Sequence, residues 1–112
     1  MTKELGRLTE DVVAKEVSFN GETKKVVNNY LAVNRGKDSQ GNNKTVFIKF
    51  SAWGKLAELM EKHCTKGMRV VLEGHLKNET FEYEGRRVQT LVLNVENIEF
   101  ADTKKDENTE SK

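Results

Sequence analysis

The chain has 112 residues, 33% of them charged and 36% hydrophobic, with a net charge of +1. This length holds a single compact core, and so balanced a charge does not by itself announce a nucleic-acid partner. Cys64 is the only cysteine, which excludes an internal disulfide, and no apolar run reaches a membrane span or a signal h-region, so the expectation is a soluble, cytoplasmic chain without membrane contact.

Proline is absent, so every turn rests on Gly, Asn and Asp. The clearest breaks are Asn20-Gly21-Glu22, residues 36–43, Gly67 and Glu84-Gly85. Between them, residues 26–35, 45–53, 69–77, 80–83 and 86–95 read as strands rich in Val, Leu, Phe and Tyr. Within 69–77, Val70, Leu72, Gly74 and Leu76 alternate with Arg69, Val71, Glu73 and His75, and Gly74 marks a bend or bulge. One segment has a helical period instead. Leu56, Leu59, Met60 and Cys64 recur at three and four residues between Gly54 and Gly67, with Gly67 as the left-handed stop. The expected fold is therefore mainly β, a small closed five-stranded barrel with one short helix between strands 3 and 4. Residues 1–100 form its single domain, and 101–112, lacking any apolar anchor, a disordered tail.

Residues 45–54 carry the strongest functional signal. Period two places Val46, Ile48, Phe50 and Ala52 on one face and Phe47, Lys49, Ser51 and Trp53 on the other. The first set is a core stripe. Two large aromatics with a cation between them on the second face suit bases stacked along a phosphate chain. They suit equally a face covered by a partner subunit.

Other constellations are weaker. His63, Cys64 and His75 are the only soft metal ligands; His63 and Cys64 are adjacent on the helix and point apart, so packing is their expected role and no metal or cofactor is implied. The carboxylates Asp11, Glu73, Glu79, Glu82 and Glu84 are scattered, with no motif joining them for metal-assisted cleavage, so no enzyme is expected. The loop 36–44 lacks a phosphate-cradle pattern; it reads as a flexible hairpin connection, or as a backbone grip through Arg35, Lys37 and Lys44.

Four stretches in order then resemble the bacterial single-stranded DNA-binding protein family: Gly6-Arg7-Leu8-Thr9-Glu10-Asp11, Leu31-Ala32-Val33-Asn34-Arg35, Thr45 through Trp53 to Glu58, and Lys66-Gly67-Met68-Arg69 through Leu76. They span the chain from about Leu5 to Phe100. The resemblance implies an OB-fold that binds single-stranded DNA without sequence preference during replication, recombination or repair, usually as a homotetramer. It places stacking aromatics at Phe47, Trp53 and Phe81. Phe81 with Tyr83 forms one arm of a hairpin turning at Glu84-Gly85, with Arg86 and Arg87 on the return limb. The phosphate contacts expected are Arg35, Lys37, Lys49, Lys55, Lys77, Arg86 and Arg87.

Departures shape the expectation. Only Met1 to Leu5 precede Gly6, where the family's first strand is longer and joins subunits, so a dimer is the fallback to the tetramer. Val12 stands where the family usually has proline, and Asn29 where it commonly has an apolar residue. The tail ends Thr109-Glu110-Ser111-Lys112 instead of an acidic run closed by Pro-Phe, so recruitment of partners through an acidic tip is not expected and a phage-, plasmid- or accessory-type member is. An RNA-binding or protein-interaction OB module remains the alternative, because stacking tolerates either sugar.

Overall fold

The two Gly-containing dipeptides Asn20-Gly21 and Glu84-Gly85 set the registers of the sheet. Both residues of each pair have positive φ (52° and 80°, 51° and 77°), the geometry of a two-residue hairpin turn. The structure, a computed structural model, describes residues 1–101. Of the expected tail, 101–112, Ala101 is described, its amide donating to the Arg69 carbonyl at 3.1 Å, and residues 102–112 lie outside the described residues.

Six strands and one helix follow in order: β1 (Thr2–Leu8), β2 (Lys15–Phe19), β3 (Glu22–Lys37), β4 (Asn43–Trp53), α1 (Lys55–His63), β5 (Arg69–Tyr83) and β6 (Arg86–Phe100). Their order in the sheet is β1-β5-β6-β4-β3-β2, with a further β1–β3 pairing. That pairing, Arg7 opposite Ala32 and Leu8 opposite Leu31, closes five strands into a ring. The mainly β, five-stranded barrel is thus found, with α1 between its third and fourth strands. β2 is the sixth strand, outside the ring, paired only to β3.

The sequence boundaries need three corrections. Residues 69–77 and 80–83 belong to one continuous strand, β5. β2 was not expected, because Lys15-Glu16-Val17-Ser18 offers no repeating apolar face and the strand adds an edge instead of closing the barrel. Gly67 does not cap α1; the helix ends at Cys64, in extended conformation, and Gly67 lies further on, in the turn where the Met68 amide donates to the Thr65 carbonyl at 3.2 Å.

The core runs through the ring and under the helix, joining Leu8, Leu31, Phe50, Ala52, Ala57, Met60, Val70, Leu72 and Leu93. The helix buries Ala57 and Met60, with Cys64 buried just past its end and Leu56 packed at the edge; Leu59, expected on this face, is exposed. Gly74 is the bulge its position suggested. The β5–β6 register slips between Glu73 and Gly74, and any Cβ there would run into the Asn94 carbonyl. Asn29 is buried at the position where an apolar residue was the norm. Its Oδ1 accepts from the Thr9 hydroxyl at 3.1 Å and the Tyr30 amide at 2.7 Å, while its Nδ2 donates to the Glu10 carbonyl at 3.3 Å. A buried amide with all these partners carries little desolvation penalty, and it fastens the segment after β1 to β3.

Candidate nucleic-acid interface

The register of β3 on β4 builds the site. Ala32 lies opposite Phe47, Tyr30 opposite Lys49, Asn28 opposite Ser51 and Val26 opposite Trp53. Directly opposed residues share a face of the sheet. The outward parity of β4 therefore brings Phe47 and Lys49 beside Tyr30, with Trp53 six residues along the strand, about 20 Å at the usual rise. Phe47 is 61% exposed, Trp53 42% and Tyr30 47%, so all three rings offer a face to solvent. Tyr30 was missed in the sequence, although Val27, Leu31 and Val33 on the inward parity of the same strand leave it pointing out.

Two members of the period-two pattern break rank. Ser51 is buried, because a short side chain flanked by both β3 and β6 does not reach solvent; its hydroxyl donates to Asn28 Oδ1 at 2.6 Å. Val46 has the inward parity yet is 42% exposed. β4 meets β6 only at Phe50 and Ser51, so by Val46 the strand has run past the closed part of the ring. Val46, Ile48, Leu76 and Leu91 line a groove of about 280 Å3 there, with Phe47, Lys49, Arg35 and Glu4 at its margin.

Beyond that groove, the distal parts of β5 and β6 form an arm. One of its faces carries Lys77, Glu79, Phe81 and Tyr83, opposite Val92, Thr90, Val88 and Arg86. Glu79 Oε1 lies 3.8 Å from Lys49 Nζ, which ties this face of the arm to the aromatic face of β4. Phe81, 45% exposed, and Tyr83, 61% exposed, therefore extend the set of rings begun by Tyr30 and Phe47. Arg87 lies opposite Glu82 on the other face of the arm, so Arg86 and Arg87 do not act on one strand together.

The remaining cations divide by neighbourhood. Arg35 Nη2 donates to Glu4 Oε2 at 3.0 Å and is already neutralised. Lys37 is exposed at the end of β3, beside a loop that is hydrogen-bonded internally: Asp38 Oδ1 accepts from the Gln40 and Asn42 amides at 2.9 Å each. That loop is the hairpin connection from β3 to β4, its turn organised by Asp38. Lys55 opens α1 next to Trp53, in a cavity shared with Lys24 and Lys25. These two lysines were also missed, since only the fold joins them to Trp53. Among the described residues no group of three His, Cys, Asp or Glu side chains is placed to hold a metal ion, and no helix is long and apolar enough to cross a membrane.

Comparison with known proteins identifies the family. A family model described as the single-strand binding protein family matches residues 5–101. A single-stranded DNA-binding protein of Fusobacterium nucleatum is 34% identical over 103 residues, covering 88% of this chain and 64% of that protein. Single-stranded DNA-binding protein 1 of Clostridium acetobutylicum is 31% identical over 104 residues, covering 91% of this chain and 93% of its own. Single-stranded DNA-binding protein 2 of the same organism is 29% identical over 108 residues, covering 96% of this chain and 80% of its own. A ring of five strands in this order, with aromatics along one outer face and a family match over nearly its whole length, makes this chain a member of the single-strand binding protein family.

Proposed function

We propose that this chain binds and protects single-stranded DNA without strong sequence preference, in replication, recombination or repair, and that it acts by binding, not catalysis. The observation that supports this most is the shared face of Tyr30, Phe47, Lys49 and Trp53 across the β3–β4 pair. Rings spaced along a strand accept successive bases whatever their identity, because every base has a π-face. Phe81 and Tyr83 on the arm close over the same track, and Lys37, Lys49, Lys55, Lys77 and Arg86 neutralise its phosphates. Arg35, paired with Glu4, and Arg87, on the far face of the arm, stand at the edge of the proposed set. The binding unit is residues 1–100, and residues 101–112 add no strand affinity.

Exposed Leu5 on β1 and the small core of a single barrel, which gains burial by association, favour self-association in the cytoplasm, as a tetramer or, failing that, a dimer. Light scattering at micromolar protein reads the state directly. The function itself is tested by filter binding to poly-dT, poly-U and duplex DNA of equal length. Tight binding to poly-dT with weak duplex binding is the expected result. Equal retention of poly-U would move the assignment to RNA, and no retention of any would leave a protein-interaction module.

A further inference from the structure

One cross-strand row runs from Phe47 over three further strands. Phe47 on β4 lies opposite Ala32 on β3, Ala32 opposite Arg7 on β1, and Arg7 opposite Arg69 on β5. Directly opposed residues share a face, so both arginines stand on the outer face that carries the rings. Gly6 permits the close approach of β1 to β3, since a Cβ there would lie 2.6 Å from the Ala32 carbonyl oxygen. The short Ala32 side chain then leaves a dip in the row. It is part of a cavity of about 420 Å3 walled by Arg7, Arg69, Asn34, Asn43 and Thr45. No carboxylate lines this cavity; Glu73 and Glu99 share the outer face but lie further along β5 and β6, opposite Lys3 and Val71.

Two like charges directly opposite on a sheet repel, and an anion held between them offsets that cost. Arg7 is held by one contact, its Nη1 donating to the Gly67 carbonyl at 2.9 Å, which leaves most of its five N–H donors for another acceptor. Asn34 Oδ1 accepts from the Gly36 amide at 2.8 Å, so its Nδ2 donors remain. Two guanidinium forks and an amide donor, with no acid among the walls, suit a phosphate. Arg7 stands two strand spacings, about 10 Å, from Phe47 along the row, so a base stacked on Phe47 has its backbone within reach of the arginine side chain. We propose that this cavity is a phosphate subsite, gripped by Arg7 and Arg69, that draws the single strand off the β3–β4 face at Phe47 and over β1. The inference rests on the single-strand reading above and adds a path to it: past Phe47 the backbone crosses the short Ala32 instead of following β4 to its end.

The test is the salt dependence of oligo-dT binding by the full chain, Arg69→Gln and Lys62→Gln, with light scattering on each. Lys62 is exposed on α1, away from the row, and its substitution makes the same change of charge. Arg69→Gln is expected to reduce the magnitude of the slope of log affinity against log salt by about 0.7, one phosphate contact. The fall in affinity between about 50 and 200 mM salt then shrinks by about 2.6-fold, whereas Lys62→Gln keeps the original slope. An unchanged slope in Arg69→Gln overturns the subsite while leaving single-strand binding in place. An equal fall in both variants is a general effect of charge and overturns it too. A changed scattering mass in Arg69→Gln, whatever the slope, would assign the face to contact between copies and likewise overturn the subsite. Failure of the unsubstituted chain to bind oligo-dT overturns the underlying reading instead.

Discussion

Lys49 Nζ and Glu79 Oε1 stand 3.8 Å apart, so the cation at the centre of the aromatic face of β4 is already shared with a carboxylate from the β5–β6 arm. A phosphate entering this track competes with Glu79 for Lys49. The pair is partly exposed and, like most surface ion pairs, contributes little to stability. Its removal is therefore felt in binding more than in folding. Glu79→Gln is expected to raise single-strand affinity by about two- to fivefold at low salt, corresponding to the usual strength of an exposed pair. Fluorescence anisotropy with a labelled oligo-dT measures it, and a weaker-binding variant would show that Glu79 positions the arm more than it blocks the cation.

The two parities of β4 separate binding from folding. Trp53→Ala is expected to lower affinity by about 1–3 kcal/mol, the range for one stacked base, with the melting temperature nearly kept. Trp53 is the only tryptophan, so strand binding should also quench the intrinsic fluorescence. Phe50, fully buried two positions from Ile48, behaves oppositely. Phe50→Ala should destabilise the fold by about 3–5 kcal/mol in urea unfolding. If the phenotypes were exchanged, the face assignment of β4 would be reversed.

The alternation that separates those two residues was legible because Phe50 faces the core and Trp53, at the end of β4, faces solvent, although Ser51 between them has the outward parity and is buried. It failed at Val46, where the ring stops and inward parity no longer means burial. Strand β2 left no pattern to read, since an edge addition outside the barrel buries no continuous apolar face. The cavity at Trp53 was hidden for a different reason. Lys24, Lys25, Lys55 and Glu16 come from β2, β3 and the start of α1, and only the β2–β3 and β3–β4 pairings bring them to one place.

Tyr30 is the aromatic that the pattern around it concealed, sitting between Asn29 and Leu31 in a strand otherwise read for its core. Because it lies opposite Lys49 and near Phe47, Tyr30→Ala should weaken strand binding by about 1–3 kcal/mol. Tyr30→Phe should retain most of the affinity, since the ring and not the hydroxyl does the stacking. Equal losses in both variants, read by the same anisotropy titration, would assign the role to the hydroxyl.

Arg86 and Arg87 are neighbours in sequence and opposites in space: Arg86 shares a face with Phe81 and Tyr83, whereas Arg87 shares the other with Glu82. Counterion release makes the difference measurable. With about four phosphates neutralised, the slope of log affinity against log salt is about −2.8, from roughly −0.7 per contact on single strands. Between about 50 and 200 mM salt, affinity should then fall roughly fifty-fold. Arg86→Gln should reduce the magnitude of that slope by about 0.7, because one contact is lost from the track. Arg87→Gln should leave the slope unchanged, since its side chain projects from the face turned away from the rings. A reduced slope in Arg87→Gln with no change in Arg86→Gln would mean that the strand follows the opposite face of the arm, over Asn78, Thr80 and Glu82, and that Phe81 and Tyr83 lie off its path.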